Sequence, residues 1–539
     1  MTRNDVKWWL AAWGGVVLLA ATVYLAAWRA PLPGYRFCGF LLNSDDAWGY
    51  QAFARAFARG GLLIDNPWSN RVLPPAFFNL LWFLLGKGMA ATGLPFIALY
   101  YAAGVVSAGL MYLAILGVMK AFLGDGFAGR TGFLLAGFGG GLGWIVVLLS
   151  TTAAVELRPL DIFHQEGYPL QAALFFPHLA LSTAMLAAIM LLLWRGLAQG
   201  RRGALRWAGA LLIGLGFFHP YHLVTVLTVA GAWSVVRLIR DRGGWLGRLR
   251  DFLPLAGGVA LPLLYYRWLF TRENFAWWAK ANEVLTGGVV PVLLGLGALL
   301  PLAAIGAWGR DADSAHPPDR RLFLSVWAMA QGALLFAHPL VRFEAKLAEG
   351  LILPLAALAV LGATDLASRF PRLLGGWRGW GAAALAGMLL LPSHAILVRE
   401  SLASIGVLRS ALLPGNWPWR NSLPARELEA HEFVRRTVPA DAVFLGMVYS
   451  NILPAVADVR CFSGKMHITP DEFRKRDETE WFFSSPLSDF DRYRFLRERN
   501  IGYLWADPWS MVAFPFRPEE MNFLERIFDN GTVRVYRVR

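Results

Sequence analysis

The sequence predicts a mainly α, polytopic helical membrane protein that ends in a small C-terminal α/β soluble domain. Three observations point there. Of 539 residues, 56% are hydrophobic and only 16% charged, whereas a soluble globular chain carries about 25% charged residues. A soluble chain of this length would divide into several domains, each needing a polar coat that so little charge cannot supply. The apolar residues instead fall in blocks of roughly 17 to 25, the length that crosses about 30 Å of hydrocarbon. After about residue 400 the blocks stop and alternating helix and strand patterns begin.

Candidate spans lie near 8–28, 73–88, 94–118, 131–150, 171–194, 207–218, 221–239, 252–270, 287–308, 322–338, 350–366 and 379–398. The first begins after a charged start, Met1 to Lys7, and is too long for the core of a cleaved signal, so it reads as a retained anchor. Three basic loops orient the rest by the positive-inside rule. They carry Arg195, Arg201, Arg202 and Arg206, then Arg237, Arg240, Arg242, Arg248 and Arg250, and later Arg369, Arg372 and Arg378. Held inside, they place 151–170, 271–286, 339–349 and everything after Ser401 outside, and a cytoplasmic Met1 adds the loop 29–72.

These two ends of the topology disagree by one crossing. Either 73–88, which opens with Pro74-Pro75, or 131–150, which carries Gly137, Gly139, Gly140, Gly141 and Gly143, is not a full span. A re-entrant segment is allowed only where protein or water covers its backbone. In 207–239 two crossings share one short stretch, so both helices must be short, with Pro220 at the outer turn.

The chain thus divides into a multi-span domain, 1–400, and an extracytoplasmic α/β domain, 401–539. In the latter, Glu427–Arg436 and Asp489–Arg499 read as helices, and Ala442–Leu445, Ile501–Leu504 and Val533–Val538 as strands. No Walker A sequence or dinucleotide fingerprint makes it a nucleotide engine.

The net charge of +14 is spread over loops beside apolar spans and the C-terminal region. That pattern suits membrane orientation and lipid headgroups, and argues against a nucleic-acid partner. Cys38 and Cys461 have no metal-ligand spacing and read as unpaired thiols.

Four clusters carry chemistry. The first is Asn43-Ser44-Asp45-Asp46-Ala47-Trp48-Gly49-Tyr50, in the first outer loop. Ser44 is expected to cap a helix that runs to Arg59 and lies along the membrane surface, with Phe53 and Phe57 in the lipid boundary. Acids in a first helical turn are stabilised by the helix dipole without doing chemistry. In an acid-poor chain, directly after the first span, they are also the best catalytic candidates.

The second cluster is Glu156, Asp161, His164 and Glu166, followed by Pro177-His178 at the mouth of a span; the third is His219 and His222. Histidine and carboxylate suit Zn or Mn. No pair has a diagnostic spacing, however, and helix-end histidines bonding backbone carbonyls are the preferred reading, so the sequence assigns neither metal nor cofactor. The fourth is His338-Pro339-Leu340-Val341-Arg342-Phe343-Glu344-Ala345-Lys346. On a helix, Arg342 and Lys346 would share a face, either snorkelling to headgroups or clamping a phosphate.

Together, Asp45-Asp46 opening a helix after span one, Pro74-Pro75-Ala76-Phe77-Phe78 opening the next segment, and a terminal α/β domain resemble the GT-C superfamily of membrane glycosyltransferases. Within it the chain looks closest to bacterial multi-span members sharing runs like Gly140-Gly141-Leu142-Gly143-Trp144, Phe176-Pro177-His178 and Ala348-Glu349-Gly350-Leu351. The resemblance implies a polyprenyl-phosphate sugar donor and a bacterial cell-membrane location. It also implies transfer with inversion, Asp45 or Asp46 taking the acceptor proton while Arg342 and Lys346 hold the leaving phosphate. Trp48, Tyr50 and the helices of 207–239 would line a lipid groove.

A transporter of lipid-linked intermediates and a non-catalytic assembly protein remain alternatives. The first would place charges mid-span, whereas here they cluster at span ends. The second would be indifferent to Asp45 and Asp46.

The orientation can be checked directly. In a chain with Cys38 and Cys461 replaced by serine, a cysteine at Ser485 should react with an impermeant thiol reagent in intact cells, and one at Gly203 should not. The reverse pattern would invert the whole topology.

Overall fold

The computed structural model describes residues 2–241, 245–309, 319–370, 391–405, 421–447, 452–507 and 516–539. Among these, five helices are long and apolar enough to cross a membrane: Arg3–Arg29, Phe96–Leu123, Pro177–Ala198, His222–Arg240 and Ile352–Arg369. Only 17% of the apolar window of Arg3–Arg29 is buried, against 67% for Pro177–Ala198. The first therefore turns its apolar surface outward, as a peripheral span in lipid must, and the second sits at the centre of the bundle.

The dozen expected crossings are reduced by irregular helices. Segment 131–150 is broken into Phe127–Phe138 and Gly143–Leu149, bent by 46°, and 287–308 into Val289–Leu296 and Leu299–Trp308, bent by 83°. The expected span 73–88 is the thirteen-residue helix Leu80–Thr92, about 20 Å long at 1.5 Å per residue and too short for the hydrocarbon layer. Its first part is extended instead, pairing Phe77 with Ile64.

Segment 171–194 is divided at Phe176 (φ −136°), between helices Pro169–Phe175 and Pro177–Leu193. Pro177 disfavours a helical residue before it. The paired helices of 207–239 are Arg202–Phe218 and His222–Asp241, turning at Pro220 as expected. They are longer than the sequence suggested, because the first extends into the basic loop. Segment 252–270 matches the later part of helix Trp245–Leu269, and of 322–338 only the part up to Leu334 is helical, in Arg320–Leu334. Of 379–398, residues 379–390 lie outside the described residues, and Pro392–Ala403 is helical.

The loop after the first span forms the helix Ser44–Arg59, with the expected limits but a different setting. Asn43 precedes it in the left-handed region (φ 46°), and no side chain caps it. Ser44 is already helical, its hydroxyl buried without a hydrogen bond. Phe53 and Phe57 are buried in protein rather than lipid, against Trp68, Phe77 and Phe83. Gly86 lets Leu80–Thr92 approach this helix closely, since a Cβ there would lie 2.3 Å from the Ala54 carbonyl oxygen.

The C-terminal domain is a five-stranded mixed sheet. Its strands are β3 Val443–Gly446, β4 Arg460–Cys461, β5 Tyr503–Ala506, β6 Leu524–Asp529 and β7 Arg534–Val538, in the order β4-β3-β5-β7-β6. The first three are parallel and the last two antiparallel to their neighbours. Helices Ala425–Thr437 and Asp489–Glu498 lie where expected, Glu472–Ser484 was not anticipated, and Leu524–Asp529 forms a hairpin with Arg534–Val538 across Asn530-Gly531.

This domain is seated on the loop that follows the first helix. β1, Tyr35–Phe37, pairs with β2, Ser422–Pro424. Arg460 binds Asp65 at 2.8 Å and the carbonyls of Asn66, Ser69 and Arg71. Cys38 and Cys461 are not joined in a disulfide.

Gly86→Ala should destabilise the detergent-solubilised protein by about 1–3 kcal/mol, the usual cost of overpacking a tight contact. Gly231→Ala, where nothing lies within 4 Å, should be neutral or slightly stabilising. Equal melting temperatures for the two variants would contradict the close helix contact.

Candidate active site

The acidic pair is held by a cation from the far end of the chain. After β4 the backbone closes a turn in which Thr469 N–H donates to the Lys465 carbonyl at 2.8 Å and Lys465 N–H to Thr469 Oγ1 at 3.1 Å. From that turn Lys465 Nζ donates to Asp46 Oδ1 at 2.8 Å, to Asp45 Oδ2 at 3.2 Å and to the Asp45 carbonyl at 3.0 Å. Its side chain is only 5% exposed.

Room for it comes from Gly49, one turn along the helix, where a Cβ would lie 2.8 Å from Lys465 Cε. The Asp46 side chain is half exposed at the cavity; desolvation by the surrounding protein would raise its pKa, but the charge and hydrogen bond of Lys465 outweigh it and hold Asp46 at about 2. The same carboxylates keep the enclosed Lys465 ammonium above its ordinary range, against the opposing effect of burial.

Asp46 faces a cavity of about 630 Å³. Tyr50, one turn on, stacks on Trp82 (centroids 4.2 Å apart, planes at 13°) and presents its hydroxyl 3.5 Å from His178 Nε2. Elsewhere in the lining Lys346 Nζ donates to Tyr221 Oη at 3.2 Å and lies 4.3 Å from that ring's centroid. Enclosure disfavours its charge, but Tyr221, Glu166 and Asp46 raise its pKa overall. Glu166 is shifted upward, chiefly by burial, with Lys346 opposing. Leu223, Leu263, Tyr266, Leu269, Phe270 and Leu340 complete an apolar side. One chamber therefore joins a carboxylate, cations and a greasy wall.

Most of the sequence candidates converge here, for Asp46, Tyr50, Glu166, His178, His219, Arg342 and Lys346 all line the cavity. Asp45 and His222 do not. Asp45 shares Lys465 from outside the lining, and His222 is buried behind it with Nε2 2.9 Å from Glu349 Oε2. Trp48 is buried against Phe40 rather than lining a groove.

Asp161 is not a chamber residue either. It is buried and accepts hydrogen bonds from Gly141 N–H, Gly143 N–H and the Ser393 hydroxyl, so it secures the glycine-rich break. Burial moves its carboxyl up to about 6.

The expected helical spacing of Arg342 and Lys346 is not formed. Residues Glu344–Ala348 make a 3-10 turn because Glu344 is anchored by the Thr286 hydroxyl and the His338 N–H. Arg342 consequently points to the rim, onto the Lys280 carbonyl and 3.9 Å from Glu283, while Lys346 points inward.

Residues the sequence reading missed are Lys465, Trp82, Tyr221 and His467, all lining the chamber, and Glu349 behind it. A glycine inside an otherwise good helix, Gly49, was the one local sign that something packs against the acidic pair. Nothing in the sequence identified Lys465 as that something. The residues with the geometry to hold a metal are His219, His222 and Glu349, whose ligand atoms lie within 4.8 Å of one another.

No protein-family model and no curated protein matches the sequence. Solved structures do match the fold. ArnT from Cupriavidus metallidurans bound to undecaprenyl phosphate superposes with a TM-score of 0.52 at 13% identity, covering 98% of each chain. Its apo state gives 0.51 at 13% identity, over 99% of this chain and 98% of that one. The Archaeoglobus fulgidus oligosaccharyltransferase, tethered to an acceptor peptide containing the NVT sequon, gives 0.50 at 13%, over 94% of this chain and 70% of its own. At such identity the likeness is one of fold alone, shared with ArnT and the oligosaccharyltransferase.

A double-mutant cycle of Asp46→Asn and Lys465→Met should show a coupling of about 0.5–2 kcal/mol in unfolding stability, limited by the exposure of Asp46. Because the folded pKa is depressed, this stabilisation is present above the unfolded carboxylate value and fades as pH falls toward about 2. The coupling should therefore be constant from pH 5 to 8. Additive effects would mean that the bridge contributes nothing.

Proposed function

We propose that this chain, with its GT-C fold, is a membrane glycosyltransferase that moves a sugar from a polyprenyl-phosphate donor to an acceptor hydroxyl with inversion. The observation that carries the reading is the composition of one cavity, with Asp46, Lys346 and an apolar strip all in its lining. A polyprenyl phosphate needs that combination, a cation for its head and a greasy surface for its chain. That ArnT is seen bound to undecaprenyl phosphate in the same fold supports the choice of lipid.

In the transfer, the acceptor oxygen attacks the anomeric carbon as the sugar–phosphate C–O bond breaks, and the electron pair leaves on the phosphate. Lys346 neutralises the charge growing there, and Arg342 guards the rim. The acceptor's proton passes to Asp46. A carboxylate held at about 2 is ionised at any working pH but is a weak base, so its proton transfer comes late and its first contribution is to orient the hydroxyl. Asp46 is assigned this role over Asp45 because it faces the chamber. Cavity and soluble domain belong on the extracytoplasmic side, the side on which positive-inside loops leave them.

Asp46→Asn should lower turnover by about 10²–10⁴ with the protein still folded, and Asp45→Asn should cost far less. Lys346→Gln should weaken binding of undecaprenyl phosphate in a nanodisc titration, and Arg342→Gln should weaken it less. Wild-type turnover in Asp46→Asn together with unchanged lipid binding in Lys346→Gln would refute the assignment.

A further inference from the structure

His219, which lines the chamber, and His222 and Glu349 behind it are all buried, the first at 6% exposure and the other two at 0%. His222 Nε2 lies 2.9 Å and His219 Nδ1 3.6 Å from the same oxygen, Glu349 Oε2. In a tetrahedral site with bonds of about 2.0–2.1 Å, neighbouring ligand atoms stand about 3.4 Å apart, between these two values. Neither His222 Nε2 nor Glu349 Oε2 makes a hydrogen bond, despite their separation. A carboxylate oxygen enclosed without a donor is costly, and a cation between the two atoms removes that cost.

The surrounding hydrogen bonds are those of a site that fixes its ligands. The Thr183 hydroxyl donates to Glu349 Oε1 at 3.1 Å, and the amide of Gln331 donates to the Glu349 carbonyl at 2.6 Å. His222 Nδ1 lies 3.5 Å from Thr225 Oγ1, leaving Nε2 as its ligand atom, the kind of partner that sets imidazole orientation and tautomer around metals. His219 Nδ1 lies 3.0 Å from Ser182 Oγ, a hydroxyl that turns aside when that nitrogen takes an ion.

We infer that His219, His222 and Glu349 form a three-ligand Zn²⁺ site that pins the turn between helices Arg202–Phe218 and His222–Asp241 to the start of Ile352–Arg369. Two imidazoles and one carboxylate suit zinc over the all-oxygen shells of Mg²⁺ or Ca²⁺, and three protein ligands leave one position for water. The pinned turn carries Tyr221, whose hydroxyl receives Lys346 at 3.2 Å and the Asn282 amide at 2.8 Å. The ion thereby positions Lys346 without touching the chamber's contents.

The test uses tag-free full-length protein in nanodiscs, equilibrated with Zn²⁺, desalted, and assayed for metal by mass spectrometry. Wild type should retain one zinc per chain, and Co²⁺ in its place should give the visible bands of a tetrahedral ion. Glu349→Gln and His222→Asn should lose the metal, while Asp46→Asn should keep it, separating this site from the acidic pair. A chelator should lower the melting temperature of wild type and leave Glu349→Gln unmoved. Retention of no zinc by wild type, equal retention by Glu349→Gln, or loss in Asp46→Asn would each overturn the proposal.

Discussion

An ammonium group cannot be enclosed in protein without anionic partners, and Lys465 is nearly enclosed. Its partners, Asp45 and Asp46, lie about four-fifths of the chain away, a separation of 419 residues from Asp46. Satisfying that one cation fixes the seat of the soluble domain on the membrane domain, keeps Asp46 ionised and places it at the chamber. Gly49 exists in the same arrangement because the lysine stem passes over it. Domain docking and the electrostatics of the site are thus one interaction seen from two sides.

The rest of the interface repeats this logic with backbone groups. Asp65 accepts Arg460 while also accepting the Asn66 and Leu73 amides and the Asn274 side chain, so the loop, the helix Glu273–Ala281 and the sheet edge share one carboxylate. Loops of this length without their own sheet could not satisfy their polar backbone alone. The strand pair β1–β2 closes the same seam. A chamber lined from many distant segments stays open because these contacts hold its walls.

Helix irregularity serves the chamber as well. Pro177 breaks one helix just where His178 enters the cavity, and Pro220 sits between His219 and Tyr221. Short or bent helices place polar side chains at the ends of spans, where water and headgroups meet them, rather than in hydrocarbon.

The sequence by itself determined the class of protein, the general position of the helices, the α/β character of the last segment and the acidic pair at a helix start. Those features are written in local composition and period, which hydrophobicity and helix geometry read without tertiary contacts. It also singled out Asp46, Tyr50, His178, His219 and Lys346, because charged and polar residues at span ends are few in so apolar a chain. Only the tertiary structure decided that Asp46 rather than Asp45 faces the chamber, that Phe53 and Phe57 bury in protein rather than lipid, and that Arg342 and Lys346 diverge. It alone supplied Lys465 and Glu349. Each of these outcomes depends on what a residue meets across hundreds of positions, and a buried charge finds its partner in space rather than in sequence.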